Sequence, residues 1–431
     1  MNQASDARIS PQRFRSIIAG SAGNLVEWYD WFAYASFAIY FAPIFFPAGD
    51  ETAKLLNTAA VFAVGFIVRP IGAYAMGVFA DRRGRKAGLT LSVGLMFAGS
   101  MLIAIAPGYA SVGMWAPVIL IAARMIQGLS LGGEYGASAT YLSEMAPRKN
   151  RGFWASFQYM TLCGGQLCAI FVAVLLQSLL SEAELSAWGW RIPFAIGAVL
   201  ALAVYVMRRK MAETQSFENL DQRRMPKSTL RHLWRAHRRS AILVAILSAG
   251  GGLGAYAFTS YMQKYLYNSV GFSKATATYI VAFGLLYFTL MQPVFGALGD
   301  RFGRRPMLLL FGIGGSLAAI PFFLTMQQVT SPYLAAALLL VPLTLQSGYS
   351  ANNALVKAEL FPAHIRGLGV AFPYAIGNAI FAGTVELVAL WLKQMGVEGL
   401  FYLYVALIIA AAGVATWLLP ETRDNSLILE D

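Results

Sequence analysis

The feature that most constrains this chain is a succession of apolar runs, each about twenty residues long, with the basic side chains clustered after alternate runs. A helix of that length crosses the hydrocarbon core of a bilayer, and lipid offers no partner to an unpaired backbone amide, so the chain must satisfy its own hydrogen bonds inside each run. Residues classed as hydrophobic make up 58% of the sequence and charged ones only 13%, too little charge to cover a water-soluble surface of this size. The net charge of +12 would suggest phosphate binding in a soluble protein. Here the bases sit between membrane-length runs, so nucleic acid is not an expected partner and a lipid bilayer is.

The runs number twelve, near 17–42, 55–79, 88–106, 113–141, 153–178, 190–207, 241–266, 275–298, 307–327, 332–356, 368–392 and 399–419. One side of the membrane then receives only Lys54, Arg191, Lys264, Lys274 and Lys393, while Arg69 and Arg124 stay inside spans and all other bases fall on the opposite side, Lys357 among them. The positive-inside rule makes that opposite side the cytoplasm and places both termini there. The first run is long, interrupted by acids and lacks an Ala-x-Ala-type exit, so it reads as a span and not as a cleaved leader. Cys163 and Cys168 lie five apart on one helix, out of bridging range, and read as buried packing residues. His232, His237 and His364 all fall in cytoplasmic connections, which leaves no intramembrane histidine and no metal-ligand spacing. An enzyme would need such a constellation, and no Gly-rich phosphate loop is present to couple ATP. Neither a cofactor nor a metal is expected.

The chain also repeats. GVFADRRGRK (Gly77–Lys86) recurs as GALGDRFGRR (Gly296–Arg305), 219 residues on, and SEMAPRKNRG (Ser143–Gly152) recurs as AELFPAHIRG (Ala358–Gly367), 215 residues on. AET at 212–214 recurs as PET at 420–422. Three matched elements in matched order predict two homologous six-helix bundles, a transporter architecture. The expected domains are a cytoplasmic tail (1–16), an N-terminal bundle (17–207), a cytoplasmic linker carrying a short amphipathic helix (208–239), a C-terminal bundle (240–420) and a second cytoplasmic tail (421–431).

At these motifs the chain resembles the major facilitator superfamily over nearly its whole length. Gly77-x-x-x-Asp81-Arg82-x-Gly84-Arg85-Lys86 is similar to the superfamily's loop signature, and Arg124-x-x-Gln127-Gly128-x-x-x-Gly132-Gly133-Glu134 to its span-four signature. Gly23-Asn24-Leu25-Val26-Glu27-Trp28-Tyr29-Asp30, Arg69-Pro70-Ile71-Gly72 and Trp188-Gly189-Trp190-Arg191 resemble the metabolite:proton symporter family. Its members carry 2-oxoglutarate, shikimate, citrate, or proline and betaine. Gly132–Glu144 and Thr259–Leu266 resemble the branch that carries 2-oxoglutarate. The resemblance implies an all-α bacterial inner-membrane protein that imports an organic anion with protons by alternating access. Another organic acid or zwitterion, or a facilitative carrier, remains an alternative, and a monomer is expected.

Ionisable groups inside spans are costly and are therefore functional candidates. Glu27 and Asp30 stand three apart on one face of span one, where each disfavours the other's ionisation. They are the expected proton-coupling pair, with Arg124 as counter-charge, or else a permanent ion pair that ties helices together. Arg69, flanked by Gly65 and Gly72, can fork onto a carboxylate, or pair with those acids. Lys264 beside Tyr261 supplies a cation from the other half, or snorkels to the outer headgroups. Together the two cations would hold the two ends of a dicarboxylate, with Arg124, Gln158, Asn353 and Asn378 adding polar contacts from inward faces. Glu386 is either a further acid in the pathway or a partner of Lys393. Asp81, Arg85, Glu144, Arg151, Asp300, Arg304, Glu359 and Arg366 line one rim, and in the family such residues hold the cytoplasmic side closed.

Overall fold

The computed structural model describes residues 11–47, 51–220 and 225–428. Arg8 and the start of the expected N-terminal tail, part of the linker, and 429–431 lie outside the described residues, as does the side chain of Lys54. Twelve long helices follow in order: α1 Pro11–Phe45, α2 Glu51–Arg83, α3 Arg85–Ala104, α4 Trp115–Met145, α5 Arg148–Leu179, α6 Gly189–Arg209, α7 Arg238–Val270 and α8 Lys274–Phe302. α9 Arg304–Met326, α10 Pro332–Glu359, α11 Ala363–Gln394 and α12 Gly399–Trp417 complete the set. Eleven of them are long and apolar enough to cross a membrane. α1 falls short of that hydropathy because Asn24, Glu27, Asp30 and several Trp and Tyr side chains lie along it, every one of these acids fully buried.

Local signals place the ends. Ser273 and Ser331 accept hydrogen bonds from the amides of Thr276 and Leu334 and so start α8 and α10. Gly84 and Gly303 separate α2 from α3 and α8 from α9 at φ 106° and 102°, in a region that a side chain disfavours. Each loop signature is therefore a helix–glycine–helix corner. The expected linker helix forms over Leu230–Ala236, started by Thr229, whose hydroxyl accepts from the His232 amide.

Within the N-terminal bundle α2 and α3 pack on α4, α1 on α5, and α3 on α6; in the other bundle α7 packs on α12 and α8 on α10. The bundles meet through α2 against α11 and α5 against α8. Both junctions depend on glycine. A Cβ on Gly77 would come within 2.9 Å of Leu368 Cα, and one on Gly296 within 2.5 Å of the Gly152 carbonyl oxygen. These glycines occupy matched positions of the repeat, so the same close approach occurs twice.

Candidate functional site

Between the bundles lies a small cavity lined by Trp28, Tyr159, Gln166, Tyr256, Tyr374 and Asn378, with Cys163 in its wall. Its volume is about 20 Å³, room for roughly one water, so any larger solute requires the bundles to part. On the side away from the basic loops it is capped thinly: Phe66 meets Tyr256 edge to face at 6.4 Å, and Gln166 Nε2 lies 3.5 Å from Ser260 Oγ. α11 changes to a π-helical turn over Asn378–Ala382, following Pro373 and Gly377, where it passes the cavity. Such turns free backbone groups and recur at functional sites.

The cations around this cavity differ from the expected set. Arg69 on α2 is 5% exposed and stands over three rings, 4.0 Å from Trp31, 4.0 Å from Phe66 and 5.6 Å from Trp28. Its Nε and Nη2 have no hydrogen-bond partner among the described residues. No salt bridge joins it to Glu27 or Asp30 there. Arg124 on α4 lies 4.1 Å from Trp31, so one indole serves both guanidinium groups. From the C-terminal bundle the cation is Lys357, and its burial corrects the expectation that it is a cytoplasmic loop base. It is fully buried, and among the described residues its ammonium bonds only neutral oxygens: Tyr135 Oη at 3.1 Å, Tyr349 Oη at 3.3 Å and Asn353 Oδ1 at 2.9 Å. It also faces the Tyr374 ring at 4.5 Å, and Tyr374 stacks on Tyr135 of the other bundle at 3.3 Å.

Lys264 and Tyr261 are placed elsewhere. Lys264, half-exposed near the C-terminal end of α7, pairs with Glu386. Glu386 is thus a partner of Lys264 and not of Lys393, which donates to the Asn268 carbonyl and to Ser269. Tyr261 is packed against Phe401 and Tyr265 in the C-terminal core. Asn378 does line the cavity, and its amide donates to the Tyr374 carbonyl. Gln158 is fully buried with neither amide atom partnered among the described residues. Of the two cysteines only Cys163 is buried; Cys168 is exposed, which corrects the expectation for it.

The acids of α1 are drawn into separate settings. Glu27 accepts from Ser130 Oγ at 2.8 Å. Asp30 accepts from Gln127, whose carbonyl in turn accepts from Arg124 at 2.8 Å. Close to Glu27, Glu134 takes two hydrogen bonds from Arg208. Arg208, read from sequence as a linker base, belongs to the last turn of α6 and is fully buried. Its guanidinium also donates to the Leu89 and Gly20 carbonyls, binding α1, α3, α4 and α6 together.

The rim at the basic face is built twice. The Asp81 carboxylate accepts from the amides of Gly367 and Leu368 at 2.8 and 3.0 Å, at the start of α11. Asp300 accepts from Gly152 and Phe153 at 2.8 and 2.9 Å, near the start of α5. Each acid thus sits at the positive end of a helix in the opposite bundle. Arg85 bridges Asp81 and Glu144, and Glu144 also binds Arg366. Arg304 bridges Asp300 and approaches Glu359 at 3.8 Å. Arg151 reaches the Ile428 carbonyl, and Arg366 the Leu427 carbonyl. Glu213 and Glu421, from the third repeated element, accept from the amides that start α3 and α9. The repeat of that element is visible in the sequence, but nothing in its pattern signals the amide contacts of its acids.

Two six-helix bundles meeting over a buried, cation-flanked cavity and a doubled rim define a membrane transporter. The profile of the Major Facilitator Superfamily matches residues 24–372 and 268–429. The chain is 47% identical over 416 residues to the alpha-ketoglutarate permease of Escherichia coli K12, spanning 96% of this chain and 95% of that one. It is 34% identical to a citrate-proton symporter of Klebsiella pneumoniae, over 88% and 85% of the two chains. The proton:xylose symporter XylE bound to a bromodeoxyglucose superposes with a TM-score of 0.79 at 19% identity, covering 98% of each chain. The chain belongs to the Major Facilitator Superfamily, and it is a multi-pass transporter, not an enzyme.

Proposed function

We propose that this protein imports a dicarboxylate of the 2-oxoglutarate type together with protons. The observation that carries the reading is the cavity between the bundles, whose lining rings Trp28 and Tyr374 are backed by Arg69 of one bundle and Lys357 of the other, two buried cations whose present partners include no carboxylate salt bridge among the described residues. A solute with an anionic group at each end would replace aromatic and neutral-oxygen contacts with charge-assisted hydrogen bonds on both bundles, and so favour the closed, loaded carrier. The permease relative supports this substrate class. The citrate-proton symporter supports coupling to protons.

Glu27 and Asp30 carry the protons in this reading. Asp30 is linked through Gln127 to Arg124, and Arg124 shares Trp31 with Arg69, so protonation at Asp30 alters the charge balance felt at the cavity wall. The doubled rim holds the basic face closed while the other face admits substrate. Breaking those contacts opens the inward path. In this reading the basic face and both termini lie in the cytoplasm of a bacterium, supported by the charge asymmetry of the loops, and the chain acts as a monomer in the inner membrane without nucleic acid. Uptake of labelled 2-oxoglutarate into proteoliposomes, with and without an inward proton gradient and against unlabelled citrate, shikimate and betaine, tests the reading. Gradient-driven accumulation blocked best by unlabelled 2-oxoglutarate is expected. Equal blocking by betaine, or no dependence on the gradient, would reject it.

A further inference from the structure

Three histidines that transport does not use come together at the basic face. His232 lies on the linker helix Leu230–Ala236, His237 immediately precedes α7, and His364 lies in the short turn that opens α11. One ring nitrogen from each falls within 4.8 Å of the other two. His232 Nε2 and His364 Nε2 are 3.4 Å apart. Ligands on a tetrahedral zinc ion at the usual Zn–N bond length are separated by about 3.3 Å, so that pair already spans one edge of such a site. The His237 ring stands edge-on to His232 at 5.7 Å, and a small side-chain rotation completes the third corner.

The geometry points to a three-histidine site for a borderline transition-metal dication of the zinc class, with water as fourth ligand, that staples the linker to the C-terminal bundle. Imidazole nitrogen as the only donor type suits zinc, copper(II) or nickel over magnesium or calcium. A cavity of about 250 Å³ opens beside His364, lined also by Asp81, Arg82, Lys227 and Ser228. The site would also act on the rim. Ser228, four residues before His232, donates to Asp81 at 2.8 Å, and its carbonyl accepts from Arg82 at 3.3 Å. The Ala363 carbonyl, next to His364, accepts from Arg85. An ion joining His232 to His364 therefore ties together two segments that α2 and α3 also hold, through Asp81, Arg82 and Arg85, in this closed arrangement of the basic face. Bound metal stabilises that closed state and slows transport.

The test uses the full chain purified without a histidine tag. Zinc titration with a chromophoric competitor is expected to show one site per chain, weakened roughly a hundredfold in His232→Gln and His364→Gln. Substrate uptake by these variants without metal should match that of the parent protein, which establishes that they fold. Zinc at ten times its dissociation constant, present at the basic face, should slow uptake by the parent about tenfold and leave a triple His232→Gln, His237→Gln, His364→Gln protein unaffected. Absence of stoichiometric binding, or binding unchanged in the triple variant, overturns the site. Binding that leaves the uptake rate unaltered overturns the clamp.

Discussion

Lys357 and Lys264 are the same residue type in the same bundle, yet their surroundings give opposite expectations. Lys264 and Glu386 form a half-exposed ion pair, the kind worth about 0–1 kcal/mol, whereas Lys357 is fully buried among neutral oxygens. Lys357→Ala and Arg69→Ala should each raise the half-saturation concentration for 2-oxoglutarate by about 10–100-fold, the loss of one charge-assisted hydrogen bond or more. Lys264→Ala should leave it within about twofold. Initial uptake rates in proteoliposomes over a range of substrate concentrations decide between them, and a large effect at Lys264 with none at Lys357 would return the site to the C-terminal end of α7. Arg208 gives a stability counterpart. Removing one partner of a buried pair typically costs about 3–5 kcal/mol, so Arg208→Met should lower the thermal midpoint far more than Lys264→Ala. The face shared by Glu27 and Asp30 was readable from helical spacing. Lys357 and Arg208 were hidden because each lies within two residues of a helix end, where a count of loop charges claims it. Only packing shows that their long stems turn inward, Lys357 to Tyr135 and Arg208 to Glu134.

At the scale of helices, the repeat sorts charges by role. Asp81 and Asp300, Arg85 and Arg304, Glu144 and Glu359, Arg151 and Arg366, and Glu213 and Glu421 occur in both copies, and all of them hold helix ends at the basic face. Arg69, Lys357 and Glu134 have Phe288, Leu142 and Tyr349 at the matching positions, so they break the repeat. A rim must close symmetrically from both bundles, but a cavity that grips an asymmetric load has no such need. That distinction was present in the sequence and needed only alignment of the halves; which repeat-breaking charges meet in space needed the structure. The capping acids can be tested separately from the cavity. Losing a carboxylate cap costs about 0.5–2 kcal/mol, a factor of roughly 2–30 in a two-state equilibrium. In a Cys168→Ser background, Asp81→Asn and Asp300→Asn should therefore each speed maleimide labelling of Cys163 from the basic face by a factor in that range. Cys163 is a native reporter because it is buried in the cavity wall. Labelling accelerated by Asp81→Asn but not Asp300→Asn would show that the two junctions do not share the work of closure.

For the whole molecule, the charges buried away from the rim set the coupling. Arg208 and Glu134 neutralise each other, which leaves, among the described residues, three cations, Arg69, Arg124 and Lys357, and two acids, Glu27 and Asp30. The empty carrier with both acids ionised has a net charge of plus one across this set. A carrier loaded with a dianion has the same net charge only if both acids are protonated. Moving an uncompensated charge through a potential of 100 mV costs roughly 2.3 kcal/mol, so the load that leaves the set unchanged is the one the membrane potential does not oppose. Two protons per dianion are therefore expected. Each proton contributes about 1.36 kcal/mol per unit of pH gradient, which makes the accumulation ratio rise about a hundredfold per unit for two protons. Plotted logarithmically at zero membrane potential, accumulation of 2-oxoglutarate against the pH difference should have a slope near two. It should fall toward one in Asp30→Asn or Glu27→Gln, and uptake by those variants should become sensitive to an inside-negative potential. A slope near zero in the parent protein would mean a facilitative carrier. An unchanged slope in both variants would mean that the protons travel on groups other than Glu27 and Asp30.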